Sequence, residues 1–229
     1  MDAYPVVRAL ARPLVLGMFR ARVEGIEHLP AEGPVILAGN HPSTLDQFFP
    51  PLLTRRRVTY LAKKEHFTRP GPLGHALRML LEGIGMVPLD RGGATAAEAA
   101  LRRGREVLAD GGLLGIYPEG TRSPDGRLHR GKTGVARLAL TTGAPVVPVA
   151  VVGSHALYPA GARLPRLGRV VVRFGAPLDF SDQAASAEDG AVLRSVTDRV
   201  MAELQRLSGA EYVDRYAADV KAELGGRAA

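Results

Sequence analysis

A chain of 229 residues with 46% apolar content is long enough for one well-buried domain and too short for two large ones. It has no cysteine, which excludes disulfides and thiolate metal sites and fits a reducing compartment. A net charge of +7 and a pI near 10.1 favour anionic matter, whether membrane surface, nucleic acid or phosphorylated substrates. Nucleic acid fits least. The clusters Arg55-Arg56-Arg57 and Arg102-Arg103-Gly104-Arg105 carry no interleaved aromatics, aromatic content is 5%, and no groove-reading motif is present.

Residues 1–20 place Val7, Leu10, Leu14 and Met18 at helical spacing with Arg8, Arg12 and Arg20 along the flanks, which predicts an amphipathic helical segment. Two uses fit it equally: packing on the core, or docking at an anionic headgroup layer. The apolar run is far short of the roughly 20 residues that span a bilayer, and Pro13 would kink a continuous helix. Asp2, the interrupting arginines and the lack of a small-residue cleavage site argue against a signal peptide.

Arg22 to Ile26 and Pro34 to Ala38 read as strands, and residues 43–54 as a helix entered through Pro42. Between them lies Asn40-His41-Pro42-Ser43-Thr44-Leu45-Asp46. Positions five apart within one helix point about 140° away from each other, so His41 and Asp46 meet only if His41 stays outside the helix and reaches back over its first turn. A carboxylate there would fix the imidazole tautomer and stabilise the imidazolium formed when it takes a proton. With no cysteine and no Gly-x-Ser-x-Gly elbow, that proton would come from a substrate hydroxyl. The plain alternative, a helix cap and an ordinary first-turn acid, stays open for an isolated His-x4-Asp.

Further along, Val58 to Ala62 reads as a strand leading to Lys63 and Lys64, residues 75–82 as a helix, and residues 94–109 as another. His66 and His75 have no metal-site spacing and read as structural or surface residues. Arg91 beside Gly92-Gly93 sets a guanidinium next to backbone that a ligand can approach closely, which suits an oxyanion. Gly111 to Tyr117 reads as a buried strand ended by Pro118, and Glu119, Gly120, Thr121 and Arg122 then offer a carboxylate, a flexible backbone, a hydroxyl and a guanidinium in succession. The alternative is that Glu119 pairs with Arg122 or Arg91 and orders the loop. Gly126 to Thr133 spells the phosphate-loop pattern Gly-x4-Gly-Lys-Thr, yet the turn-forming Ser123-Pro124-Asp125-Gly126 separates it from the strand it would need. A helix over 132–142, a strand over 145–152, a loop with His155 over 154–168, a last strand over 169–174 and two amphipathic tail helices complete the pattern.

Four blocks stand in order: the Asn-His-x4-Asp stretch, Gly85-Met86-Val87-Pro88-Leu89-Asp90-Arg91, Tyr117-Pro118-Glu119-Gly120-Thr121-Arg122-Ser123 and Val146-Val147-Pro148-Val149. Together they resemble the motifs of the glycerolipid acyltransferases, the family of bacterial 1-acyl-sn-glycerol-3-phosphate acyltransferase. The departures are Tyr117 for phenylalanine and Val87-Pro88-Leu89 for an aromatic and an isoleucine. The resemblance implies a single α/β domain with a central mixed, largely parallel sheet flanked by helices, arranged as a docking segment (1–20), a catalytic domain (21–182) and C-terminal helices (183–229). It implies transfer of a fatty acyl group from acyl-CoA or acyl carrier protein to the sn-2 hydroxyl of 1-acyl-glycerol 3-phosphate, giving phosphatidate. His41 would be the general base oriented by Asp46. Lys63, Arg91, Glu119, Gly120, Thr121 and Arg122 would hold the acceptor, and the strand Pro145 to Val152 would wall the acyl channel, with plain core as its equal alternative. No metal or cofactor is expected beyond the acyl donor, and the place of action would be the cytoplasmic face of the cell membrane, without a spanning segment. Glycerol 3-phosphate or another lyso-lipid as acceptor, a silent lipid-binding protein, and a nucleotide-dependent enzyme using Lys132 are the rival readings.

Overall fold

The computed structural model describes residues 4–89, 96–159 and 162–226. Arg91 lies outside the described residues, and Lys63 is described only through its backbone. Seven strands form one sheet in the order β1-β8-β7-β2-β5-β3-β4: β1 Arg22–Glu24, β2 Val35–Gly39, β3 Val58–Lys63, β4 Met86–Leu89, β5 Leu113–Ile116, β7 Val146–Val152 and β8 Val171–Phe174. Pairing is parallel except between β7 and β8. The expected mixed, largely parallel sheet is therefore present. A further two-stranded pair joins β6 Leu128–His129 to β9 Tyr212–Val213.

β2 is central because all five of its residues are buried, the mark of a strand covered on both faces. One face packs against α4 Ala96–Ala109, α5 Gly134–Thr142 and α7 Gly190–Ser208, and the other against α1 Tyr4–Met18, α2 Phe49–Leu53 and α3 Gly71–Gly83. α7 buries Leu193, Val196, Val200, Leu204 and Leu207, the stripe its sequence spaces out. Asp189 caps its start by accepting from Ala191 N and Val192 N, and Gly209 ends it. The short α6 Ser154–Leu157 and the terminal α8 Ala217–Gly226 complete the chain.

Three expectations need correction. Residues 43–54 are not one helix: a 3-10 turn over Thr44–Gln47 precedes α2. Pro50 and Pro51 lack the amide hydrogens needed to continue a preceding helix but fit the first positions of a new one. The stretch 154–168 is not all loop, since it opens with α6, which carries His155. The third concerns α1, a helix over Tyr4–Met18 that contains Pro13 and divides its apolar residues between two faces. Its Val7, Val15 and Leu16 pack on the core, while Leu10, Leu14 and Met18, grouped with Val7 in the sequence, are exposed along with Val6.

Candidate active site

The parallel strands β2, β3, β5 and β7 all deliver their carboxyl ends to one edge of the sheet, where open α/β sheets bind ligands. His41 follows β2 there. Asn40 pins the junction through a reciprocal pair with β7, its Nδ2 donating to Val151 O (3.2 Å) and its Oδ1 accepting from Val151 N (2.8 Å). The chain then turns at Ser43, whose hydroxyl accepts from Leu45 N (3.2 Å). His41 thus stays outside the turn and reaches back, and its Nδ1–H donates to Asp46 Oδ2 at 3.2 Å.

Asp46 serves both of the roles its sequence allowed. Its Oδ2 also accepts from Ser43 N (2.6 Å), the capping half, and its Oδ1 accepts from the Ser154 hydroxyl at 2.5 Å. The side chain is fully buried. Burial raises the carboxyl above its ordinary value, opposed by the hydrogen bond and charge of His41 and by Ser154 and Ser43. α6 clamps the same turn elsewhere: the Ser43 hydroxyl donates to Tyr158 O (2.9 Å), and His155 Nδ1 donates to Pro42 O (3.1 Å).

The face of His41 rests on Tyr117, with ring centroids 3.9 Å apart and planes 11° from parallel, and Tyr117 in turn stacks on Tyr60 at 5.4 Å. Gly115 makes this column possible, because a Cβ there would lie 2.2 Å from the Tyr60 ring. Both phenols are held well above their ordinary pKa, chiefly by burial, and so stay protonated.

Glu119 is where its sequence position put it, but it does not line the site. Its carboxylate is 1% exposed and bridges two main-chain amides, accepting from His41 N and from His129 N, each at 2.9 Å. The substrate-binding role expected of it is therefore corrected: Glu119 ties the His41 turn to the β6 segment from behind. Burial pushes it up to about 7, against the pull of those two amides. Ser123 N donates to His41 O (2.9 Å) and closes the same frame.

In front of His41 opens a cavity of about 860 Å³. Gly120, Thr121 and Arg122 line it, as expected, and Arg122 also donates to the Thr44 hydroxyl (2.5 Å). Its apolar wall comes from Leu61 and Ile116 on the sheet, Leu81 on α3, Leu101 on α4 and Leu138 on α5. The expectation that β7 walls this channel is corrected. No residue of Val146–Val152 reaches the lining, because β7 lies buried between β2 and β8 with α7 packed against it. Lys132 and Lys221 line the cavity and were missed as site residues, the first because it was weighed only as part of a nucleotide loop. That loop is absent: Gly126 to Thr133 contains the buried strand β6, not a strand-loop-helix phosphate nest.

The site is thus a half-buried histidine on a fully buried carboxylate at the carboxyl edge of an α/β sheet, facing a mainly apolar cavity whose lining also carries, among the described residues, four basic side chains. Residues 20–152 match the profile of the family described as Acyltransferase, over half of the chain, and the chain belongs to that family. It is 33% identical over 145 residues to a chloroplast 1-acyl-sn-glycerol-3-phosphate acyltransferase of Brassica napus, and 34% identical over 145 residues to that of Arabidopsis thaliana. Each match covers 63% of this chain but only 40% and 39% of those proteins, so the chain spans about two fifths of the length of these relatives. The crystal structure of the 1-acyl-sn-glycerophosphate acyltransferase PlsC from Thermotoga maritima resembles it with a TM-score of 0.64 and 25% identity, covering 88% of this chain and 79% of that one.

Proposed function

We propose that this protein transfers a fatty acyl group from a thioester, acyl-CoA or acyl carrier protein, to the sn-2 hydroxyl of 1-acyl-glycerol 3-phosphate, giving phosphatidate. The observation that carries the reading is His41. Its Nδ1 is engaged by Asp46 while its ring lines the cavity, which leaves Nε2 to act on a substrate. Nε2 takes the acceptor's hydroxyl proton as the oxygen attacks the thioester carbonyl; the tetrahedral intermediate then collapses, expelling the thiolate, which recovers the proton from the imidazolium. Asp46 holds the reactive tautomer and balances the transient charge. Arg122 at the cavity mouth, with Lys63 and Arg91 from their places in the matching motifs, would hold the acceptor phosphate. Backbone amides near Gly120 are the proposed donors to the oxyanion.

A peripheral position on the cytoplasmic face of the membrane belongs to the same proposal. No helix among the described residues is long and apolar enough to cross a bilayer. α1 exposes Val6, Leu10 and Leu14, and α3, packed against it, exposes Leu73 and Met79, an apolar surface suited to lipid. The test is thiol release by purified protein on anionic vesicles, with 1-acyl-glycerol 3-phosphate, glycerol 3-phosphate and other lysophospholipids as acceptors. The reading expects turnover to be fastest with 1-acyl-glycerol 3-phosphate and strictly acceptor-dependent. Lipid retention without thiol release from any pairing would identify a binding protein instead.

A further inference from the structure

The segment that imitates a phosphate loop has another use: it is the seam on which the C-terminal tail docks. Besides the parallel pairing of β6 with β9, Leu128 N donates to Glu211 O (2.9 Å), and Arg130 N donates to Val213 O (3.1 Å) and Arg215 O (3.0 Å). The Arg130 guanidinium pairs with Asp214 (3.4 Å) and lies over the Tyr216 ring (5.6 Å). These contacts fix the chain up to the start of α8. Ala217 and Val220 are then buried, and Lys221 beside them reaches the lining of the catalytic cavity.

Among the described residues, the cations in that lining are Arg122, Lys132, Arg137 and Lys221, and the lining contains no carboxylate. One acceptor phosphate does not call for all four. In the acceptor, phosphate and reacting hydroxyl are only a few bonds apart, so its cations belong beside His41, where Arg122 is. Arg137 and Lys221 come from different elements, α5 and α8, the first half-buried with its guanidinium 3.7 Å from the exposed Glu188 carboxylate and the second exposed. Lys132 runs alongside Gly120: its methylenes pass so close that a Cβ there would sit 3.1 Å from Cδ and Cε. The family profile ends at residue 152, so Lys221 comes from a part of the chain that the profile does not reach.

We propose that Lys132, Arg137 and Lys221 form a second anion subsite, which takes the phosphate of the phosphopantetheine arm carrying the acyl group. This rests on the acyltransferase reading. That phosphate is common to coenzyme A and acyl carrier protein, and it lies a long flexible arm away from the thioester sulfur, as a rim site requires. Folding back of residues 211–221 is thus what completes the donor side of the cavity.

The test compares wild type, Lys221→Gln and Arg137→Gln with acyl-CoA, acyl carrier protein and acyl-pantetheine, which lacks the phosphate. Each substitution should raise KM for the phosphate-bearing donors about tenfold, leave KM for the lysolipid as it was, and carry no penalty with acyl-pantetheine. A penalty confined to acyl-CoA or to the carrier protein tells which source supplies the phosphate. An equal rise with acyl-pantetheine, a rise in the lysolipid KM, or no rise at all overturns the subsite. Calorimetric titration with phosphopantetheine and with pantetheine reads the same site without turnover: wild type should prefer the phosphorylated compound and Lys221→Gln should lose the preference. Equal affinity in wild type overturns the proposal even if no acceptor is ever turned over, whereas failure of turnover alone with the preference intact counts only against the acyltransferase reading.

Discussion

On one side of the cavity His41 and Asp46 have side chains 13% and 0% exposed, and both carboxylate oxygens are held by hydrogen bonds, from His41 and Ser43 on one segment of chain and from Ser154 on another. On the other, Lys132 and Lys221 are exposed long side chains, and Arg137 is half-buried and pairs with Glu188 at 3.7 Å. The first side sets one geometry. The second supplies a field that many arrangements of the same charges would supply. Small changes at the junction should therefore be costly and localised in kcat, and larger changes at the rim mild and localised in binding.

The strongest break is His41→Ala. It removes the proposed base and leaves the cavity, so kcat for thiol release should fall by about 10²- to 10⁴-fold with lipid binding retained; near-normal turnover would refute the assignment. Asp46→Asn keeps the volume but sets an amide among donors that require a carboxylate. A loss of about 10²-fold in kcat is expected, with KM for the lysolipid within roughly twofold. Ser154→Ala sharpens the comparison at a distance, since it strips one donor from a buried carboxylate. It should lower unfolding stability by about 1–3 kcal/mol in urea titration and reduce kcat less than Asp46→Asn does.

Glu119 gives the junction a pH signature. Its carboxyl is raised from 4.5 in the unfolded chain to about 7 in the folded one, so over that interval the folded protein holds the extra proton. Its contribution to stability is therefore greatest below about pH 4.5, declines as pH rises towards 7, and is level above that. Glu119→Gln should flatten that slope in urea titrations across the interval. Part of it should remain, because Asp46 is displaced in the same direction. The smallest effect expected is that of Tyr117→Phe, which keeps the ring stacked on His41 and should leave kcat within about twofold.

The same contrast explains what the sequence made legible. His41 and Asp46 are five positions apart, so their meeting is a question of local backbone, and the reach-back over the first turn was readable from Pro42 and the spacing. The central strand β2 was readable because a run buried on both faces is continuously apolar. Of the two readings of Glu119 the loop-ordering one fits the structure, but not with the arginine partner expected, since the amides of His41 and His129 lie on segments whose approach no spacing encodes. Ser154 is 108 positions from the carboxylate it serves, and nothing around it marks it out. The β6–β9 pair is two residues long on each side, too short for any periodicity, so the tail's return to the cavity, and Lys221 with it, was invisible. The break before α2 did leave a trace, in the adjacent prolines 50 and 51.

The claim beneath all of this is that His41 and Asp46 act as one unit. A double-mutant cycle on kcat for thiol release tests it most directly, with His41→Ala, Asp46→Asn and the two combined. If Asp46 works through His41, the double variant is no slower than His41→Ala alone. Losses that multiply would show the carboxylate acting elsewhere and contradict the account.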